Sequence, residues 1–250
     1  MAKPQTTEER LKLRRIKQYL TALRRYHRSK GHGIHSPFAF KFVLNVLRER
    51  LPYYAYEELD LLRRRAKEQS CSFMHRPRII SLKSAKYLFR IVNYFNPGDI
   101  LQIGTNYGVS SASMLAVSHK ISLYLCEPDV NEFPITHDIL SHYGNTVNIY
   151  PSFKDGIKAY SDTPTGQSTP FVLINDINPE EYNSILSYLY KVRNENGVII
   201  IRNIARNSLL QALWDALRDA ATTGMTFTNN KTAVIVATSK LPHQNFSLWF

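Results

Sequence analysis

The chain has 250 residues, of which 44% are hydrophobic, and a formal net charge of +12 at pH 7. This length allows one substantial domain with an extension. No apolar run approaches the roughly 20 residues that span a bilayer, and the N-terminal segment lacks the apolar core of a signal peptide. We therefore expect a cytoplasmic protein without a membrane span, whose cysteines, Cys71 and Cys126, stay reduced.

The charge is distributed unevenly along the chain. Residues 1–90 hold 22 Lys and Arg against 7 Asp and Glu, a balance of +15, whereas residues 91–250 hold 10 against 13, a balance of −3. The sequence therefore predicts a basic helical extension over residues 1–80, followed by a nearly neutral domain over 81–250. Such asymmetry permits nucleic-acid binding through residues 1–90 without showing it.

The basic extension begins with a predicted amphipathic helix over residues 8–28. This helix either docks by its Leu and Ile stripe, contacts RNA phosphates or lies on a membrane surface. Ser36 and Pro37 predict the start of a second helix that runs to about residue 50. His32 and His35 precede it in a glycine-containing loop. A zinc site needs three or four ligands, and no further His or Cys pair is near, so we predict no metal there.

The stretch from Asp99 to Asp129 carries the clearest motif. Helices predicted over 56–69 and 82–95 lead into an apolar strand at 100–103, and the turn Gly104-Thr105-Asn106-Tyr107-Gly108 follows. A helix over about 109–119 and a strand over 121–126 come next. This βαβ unit has a glycine turn after its first strand and an acid, Glu127, after its second. Such a turn and helix start can approach a ligand closely.

The remaining segments alternate between helix and strand. Helices are predicted over 133–143, 154–160, 179–194 and 208–222, and strands over 146–150, 171–175 and 197–201. A closing hairpin is predicted over 225–229 and 232–238, and the segment 245–250 is apolar enough to add a strand. The sequence therefore predicts an α/β fold: a Rossmann-like, doubly wound, mostly parallel sheet with an antiparallel edge strand.

The turn predicts a nucleoside-containing cofactor. Glu127 falls 23 residues after Gly104, near the spacing of an acid that binds ribose hydroxyls. The turn lacks the G-x-G-x-x-G spacing of dinucleotide sites, because no glycine stands at position 106. It also lacks the Gly-Lys-Ser/Thr of a phosphate loop.

The pattern I-G-T-N-Y-G-V-S after a strand, with an acid after the next strand, resembles the class I S-adenosylmethionine-dependent methyltransferases. It is most similar to the branch that contains the catechol O-methyltransferases and other small-molecule O-methyltransferases. The segment GHGIHSPF resembles the leader before this domain in a group of bacterial proteins assigned as methyltransferases. The resemblance implies S-adenosylmethionine as cofactor and a small-molecule methyl acceptor.

The resemblance also implies which positions bind the cofactor. They are Gln102, Gly104, Thr105, Asn106, Tyr107, Gly108, Ser110, Glu127, Ser152 and Asn175. The turn 104–108 would wrap the methionine part, and Ser110 would meet its carboxylate. Glu127 would hold the ribose hydroxyls, and Ser152 would lie near the adenine.

The chain departs from that family at three strand ends. The family commonly has an acid where this chain has Gln102. Its metal-dependent branch has Asp where Asn175 stands, and Asp-Asn where Arg202-Asn203 stands. A divalent cation needs a cluster of anionic oxygens, so we expect methyl transfer without a metal. The candidate general bases are then Asp176, and His32 and His35 if the leader folds over the pocket.

Three functions from different classes remain open on the sequence. The first is a metal-independent methyltransferase, and the second is a degenerate methyltransferase fold that serves as a non-catalytic binding scaffold. The third is an RNA-binding or RNA-modifying protein that uses the basic N-terminal region. The sequence names neither the acceptor nor the oligomeric state.

Overall fold

The computed structural model describes residues 20–72, 79–127, 129, 131–162 and 169–250. Most of the predicted N-terminal helix, residues 8–19, lies outside the described residues. Each helix within these ranges is too short or too polar to serve as a membrane span.

The backbone contacts divide the chain into two compact units. The described part of the smaller one comprises residues 20–49 and Ser247–Phe250, and the larger one comprises Arg50–Phe246. The helix expected over 56–69 belongs by these contacts to the larger unit. A domain boundary at residue 80 stays a prediction.

The smaller unit is helical. Helix α1 covers residues 20–29, and α2 (Pro37–Phe42) continues as a π-helical segment, Val43–Leu47. Ser36 caps α2 as the sequence predicts, because its hydroxyl accepts a hydrogen bond from the Ala39 N–H at 3.3 Å. The Arg25 guanidinium of α1 donates to the Leu248 carbonyl at 2.9 and 3.2 Å. The last residues of the chain are thereby tied to α1 within this unit.

The larger unit alternates helices and strands as predicted. Its helices are α3 (Ala55–Gln69), α4 (Leu82–Phe95), α5 (Val109–Leu115), α6 (Phe133–Leu140), α7 (Phe153–Asp162), α8 (Tyr182–Asn194) and α9 (Ser208–Asp219). Its strands are β1 (Asp99–Ile103), β2 (Ser122–Cys126), β3 (Val147–Tyr150), β4 (Phe171–Ile174), β5 (Val198–Arg202), β6 (Met225–Thr228) and β7 (Thr232–Val236), and β8 (Gln244–Ser247) extends the sheet. Helix α5 ends four residues before the predicted His119, because the chain turns at Ala116 and Val117.

The strands form one sheet in the order β3-β2-β1-β4-β5-β7-β6-β8. The pairs from β3 to β5 are parallel, and β7 is antiparallel to both β5 and β6. The predicted fold class is confirmed: the sheet is mostly parallel and has an antiparallel edge. Strands β1, β4, β5 and β7 are buried at every position, as expected of a sheet covered on both faces.

The order of strands brings the functional motifs to one edge of the sheet. Ile103, the last residue of β1, pairs with Cys126 at the end of β2 and with Ile174 at the end of β4. The residues after these strands, Gly104 and Glu127 among them, therefore emerge side by side. The crevice beyond the carboxyl ends of the strands, where the strand order reverses, is where open α/β sheets bind ligands.

Gly224 permits the entry into β6. Its φ of +85° disfavours an L side chain, and a Cβ there would lie 2.6 Å from the Val236 carbonyl oxygen. We expect Gly224→Ala to lower the free energy of unfolding by about 2 kcal/mol or more, since backbone atoms cannot yield as a side chain can. Urea unfolding followed by circular dichroism measures this loss.

Gly98→Ala is the matched control. A Cβ at Gly98 meets nothing within 4 Å, and the residue lies outside the left-handed region. This variant should keep the wild-type stability within about 1 kcal/mol. Equal losses in the two variants would contradict the explanation.

Candidate cofactor pocket

A pocket opens at the carboxyl ends of β1, β2 and β4. Its lining comprises residues 103–106, 126, 127, 129, 132, 153, 175–178, 181 and 203. The glycine turn forms one wall, the segment after β2 forms another, and the segments after β4 and β5 close the remaining side. Residues far apart in the sequence thus converge at the edge where the motif predicts a ligand.

The glycine turn has a strained backbone. Gly104 and Gly108 have φ of +78° and +76°, and Asn106 and Tyr107 also lie at positive φ, 53° and 58°. A Cβ on Gly104 would approach the Asp176 backbone nitrogen to 3.0 Å. Glycine at 104 therefore lets the turn pack against the end of β4.

Gln102 lies beneath the turn, fully buried and outside the pocket lining. Its side-chain nitrogen donates to the Gly104 carbonyl at 2.8 Å and to Ser110 Oγ at 3.1 Å, and its oxygen accepts from Ser111 Oγ at 2.9 Å. The resemblance predicts that Gln102 binds the cofactor, and that contact stays a prediction. The hydrogen bonds of its side chain place it among the groups that hold the turn in shape.

Glu127 lies in the pocket, where only 8% of the residue is exposed. One carboxylate oxygen accepts from the Thr105 N–H at 2.7 Å, and the other accepts from the Asp129 N–H at 2.6 Å. Each oxygen has two lone pairs, so both retain capacity for a ligand hydroxyl. Burial raises the pKa of the Glu127 carboxyl.

Glu132 is a pocket residue that the sequence reasoning missed. It precedes α6, and its Oε2 accepts from the Thr105 hydroxyl at 2.8 Å and from the Tyr107 N–H at 3.2 Å. Burial raises the pKa of its carboxyl, and the nearby charge of Glu127 adds to that rise. The only sequence signal for it was its acidity within five residues of Glu127.

The pocket is strongly acidic. Carboxylates from Glu127, Asp129, Glu132, Asp176 and Glu181 line it, and none of its lining residues within the described ranges is Lys, Arg or His. A phosphate-bearing ligand would meet uncompensated negative charge here, whereas a ligand with net positive charge would be attracted. The described residues contain no group of three or more His, Cys, Asp or Glu placed to hold a metal ion.

The ends of β4 and β5 carry a buried cation. Arg202 is 5% exposed, and its guanidinium donates to Asn175 Oδ1 at 2.6 Å. Asn175 Nδ2 donates in turn to the Gly104 carbonyl at 2.8 Å and to Ser110 Oγ at 3.0 Å. Asn203 Nδ2 donates to the Asn175 carbonyl. Burial lowers the pKa of the Arg202 guanidinium.

Cys126 also lines the pocket, at the end of β2. Burial raises the pKa of its thiol to about 12, and the surrounding acids Glu181, Glu127 and Asp155 act in the same direction. The thiolate is the nucleophilic form, so the raised pKa disfavours nucleophilic chemistry at this cysteine.

The other predicted site residues divide into two groups. The pocket lining includes Gly104, Thr105, Asn106, Glu127, Asn175 and Asp176, and it does not include Gln102, Tyr107, Gly108, Ser110 or Ser152. Ser152 hydrogen-bonds Asp155, donating to its carboxylate at 2.6 Å and accepting from its N–H at 3.2 Å, as the start of α7 requires. His32 and His35 belong to the smaller unit, so their predicted catalytic role stays a prediction.

Comparison with known proteins supports this interpretation of the fold. No protein-family model and no curated protein matches the chain. Among solved structures, a methyltransferase from Podospora anserina bound to S-adenosylhomocysteine is 14% identical, with a TM-score of 0.55, over 76% of this chain and 99% of that one. The O-methyltransferase TomG from Streptomyces achromogenes, solved with S-adenosylmethionine and involved in tomaymycin synthesis, is 16% identical, with a TM-score of 0.51, over 80% and 96%.

A third similar structure is the O-methyltransferase from Bacillus cereus in complex with S-adenosylhomocysteine. It is 17% identical, with a TM-score of 0.51, over 78% of this chain and 96% of that one. At these identities the likeness shows the fold. The chain has the fold of S-adenosylmethionine-dependent methyltransferases.

The partial burial of Glu132 predicts a pH-dependent stability. An acid whose pKa is raised by folding contributes stability that is fully present below its unfolded pKa, near 4.5, and is lost as pH rises through its folded pKa. At neutral pH the charged Glu132 therefore costs stability. We expect Glu132→Gln, which keeps an acceptor oxygen for Thr105 and Tyr107, to raise the free energy of unfolding at neutral pH. Urea unfolding measures this gain.

The gain from Glu132→Gln should shrink as the pH falls toward 4.5, since the wild-type carboxyl then becomes protonated. Glu180→Gln, which neutralises an exposed acid outside the lining, is the control and should show little change at either pH. A loss of stability at neutral pH in Glu132→Gln would contradict the prediction.

Proposed function

We propose that the protein is a metal-independent methyltransferase that uses S-adenosylmethionine. The observation that carries this proposal is the acidic pocket on a strained glycine turn, at the switch point of a methyltransferase fold. S-adenosylmethionine has a sulfonium, an ammonium and one carboxylate, so its net charge is positive. That charge suits an acidic pocket whose lining, among the described residues, holds no Lys, Arg or His. A dinucleotide, whose phosphates are negative, suits it poorly.

The residues present fit this cofactor. Glu127 offers paired acceptor oxygens for the ribose hydroxyls. The turn from Gly104 to Gly108 is the part proposed to enclose the methionine portion. When bound, S-adenosylmethionine supplies a methyl group on a positively charged sulfur, and that sulfur becomes a neutral thioether after transfer. The chain's own contribution is then to position the acceptor and to exclude water from the reacting atoms.

Asp176 is our candidate for the group that takes the acceptor's proton. It lines the pocket and is exposed, and its Oδ1 accepts from the Ile177 N–H at 3.0 Å and from Asn207 Nδ2 at 2.8 Å. Within the described residues its Oδ2 accepts no hydrogen bond, which leaves that oxygen available to an acceptor. Its anchoring by Asn207 fixes the carboxylate at the mouth of the pocket.

Metal independence rests on the residues at the ends of β4 and β5. The Arg202 guanidinium holds Asn175 Oδ1, the atom that would otherwise face a cation, and its own positive charge opposes a divalent ion nearby. Binding of S-adenosylmethionine would exclude a degenerate methyltransferase fold that binds no cofactor. A cytoplasmic location and a small-molecule acceptor remain parts of this proposal.

Glu127→Gln tests the cofactor assignment. We expect isothermal titration calorimetry to show that wild-type protein binds S-adenosylmethionine and that Glu127→Gln binds it about 10- to 100-fold more weakly, since hydrogen bonds to a charged group contribute about 1.5–3 kcal/mol. Glu180→Gln, outside the pocket, should bind as the wild type does. No binding by the wild type at millimolar ligand would refute the proposal, and unchanged binding by Glu127→Gln would show that the site lies elsewhere.

We propose as a second candidate function that the smaller unit binds single-stranded RNA. Its described residues 20–49 hold six Lys and Arg and one acid, Glu49. Arg24, Arg28 and Lys30 are exposed, and the ring of Tyr26, 42% exposed, has the Lys30 ammonium 4.5 Å from its centre. Exposed cations beside an aromatic ring suit phosphates and stacked bases.

Salt dependence tests the RNA proposal. We expect fluorescence anisotropy with labelled oligouridine to show an affinity that falls with NaCl, and Arg24→Ala/Arg28→Ala/Lys30→Ala to lower the log–log slope by about 2, near 0.7 for each lost phosphate contact. Lys154→Ala/Lys158→Ala, on exposed positions of α7, is the control. An unchanged slope in the triple variant would exclude this surface.

A further inference from the structure

Glu132 reaches across the middle of the glycine turn. Its Oε2 accepts from Thr105 and Tyr107, while its Oε1 accepts no hydrogen bond from the described residues. The residue lines the pocket. One carboxylate oxygen is therefore fixed to the turn and the other is available to a ligand.

Gln102, which lies beneath the turn, carries no charge. The resemblance leads us to expect an acid at this position, and the chain has a neutral amide there. That amide is hydrogen-bonded to the Gly104 carbonyl and to the hydroxyls of Ser110 and Ser111, and it is fully buried. No negative charge at position 102 can serve a ligand on the turn.

The proposed cofactor carries a group that binds such a charge favourably. Its methionine part ends in an ammonium, which has three N–H donors and forms its strongest hydrogen bonds with charged acceptors. Glu127 is assigned to the ribose, and it bonds the turn only at Thr105. Glu132 contacts the turn at both Thr105 and Tyr107, further along the part proposed to enclose the methionine.

We propose that the Glu132 carboxylate recognises the ammonium of the cofactor's methionine part and supplies the charge that Gln102 lacks. The inference rests on the proposed use of S-adenosylmethionine. It assigns separate tasks to two neighbouring acids: Glu127 holds the ribose, and Glu132 holds the amino-acid end.

The electrostatics of the pocket support this assignment. Glu132 faces the carboxylates of Glu127 and Asp129, and the phenol of Tyr107 lies nearby. Glu127, which is buried, and Glu132, which is partly buried, both have a raised pKa. A bound ammonium offsets the repulsion among these groups, so it contributes attraction that a neutral group at the same place does not.

The test compares two ligands that differ only at the amino-acid end. S-adenosylhomocysteine has the amino-acid portion, whereas 5′-methylthioadenosine has the adenosine and the sulfur without it. Calorimetry should show that Glu132→Gln weakens S-adenosylhomocysteine binding about 10- to 100-fold and leaves 5′-methylthioadenosine binding unchanged. Glu127→Gln should weaken both ligands. Binding of 5′-methylthioadenosine also shows that the Glu132→Gln pocket is folded.

The outcomes separate this inference from the proposed function. If wild-type protein binds neither ligand, the proposed function fails. If wild-type protein binds both and Glu132→Gln binds S-adenosylhomocysteine equally well or more tightly, only the role of Glu132 is refuted. Tighter binding would mean that Glu132 competes with the ligand for the Tyr107 N–H. Equal weakening of both ligands by Glu132→Gln would also refute it, because the residue would then only support the turn.

Discussion

The pocket depends on how one strained turn is held. Gly104, Asn106, Tyr107 and Gly108 have positive φ, and the non-glycine residues among them keep such angles only when surrounding groups fix them. Gln102 and Asn175 bind the turn from the interior, through the Gly104 carbonyl and Ser110. Carboxylates bind it from the pocket side, through the Thr105 and Tyr107 N–H groups. Amide side chains thus bind the turn from the interior, and carboxylate side chains bind it from the pocket.

Because amides bind one side of the turn and carboxylates the other, amide and guanidinium side chains at the strand ends are compatible with the fold. At three positions where the resemblance to methyltransferases predicts acids, this chain has Gln102, Asn175 and Arg202, and the structure joins them into one buried network beneath the turn. Amides both donate and accept, so they satisfy the turn's carbonyl and the Ser110 hydroxyl where a carboxylate could only accept. The carboxylates of Glu127 and Glu132 lie on the pocket side of the turn, where a ligand can bind them.

Much of the fold could be predicted from the sequence, because its signals are local. Ser36-Pro37 marked a helix start, and the strand runs and the glycine turn marked the βαβ unit. The Arg202–Asn175 contact could not be predicted, since it depends on the register of β4 with β5. Glu132 has no motif spacing of its own. The resemblance predicts that Ser152 lies near the adenine, and this stays a prediction. Ser152-Phe153-Lys154-Asp155 also has the capping spacing that the structure uses.

The tie between Arg25 and Leu248 has a consequence for how the protein is made. These partners lie 223 residues apart, so the smaller unit combines the early part of the chain with its last residues. During synthesis, α1 leaves the ribosome long before residues 247–250 exist, and its contacts with them form only after the whole of Arg50–Phe246 has been made. The larger unit has most of its strands available earlier. Completion of the smaller unit is thereby delayed until the larger unit has been synthesised.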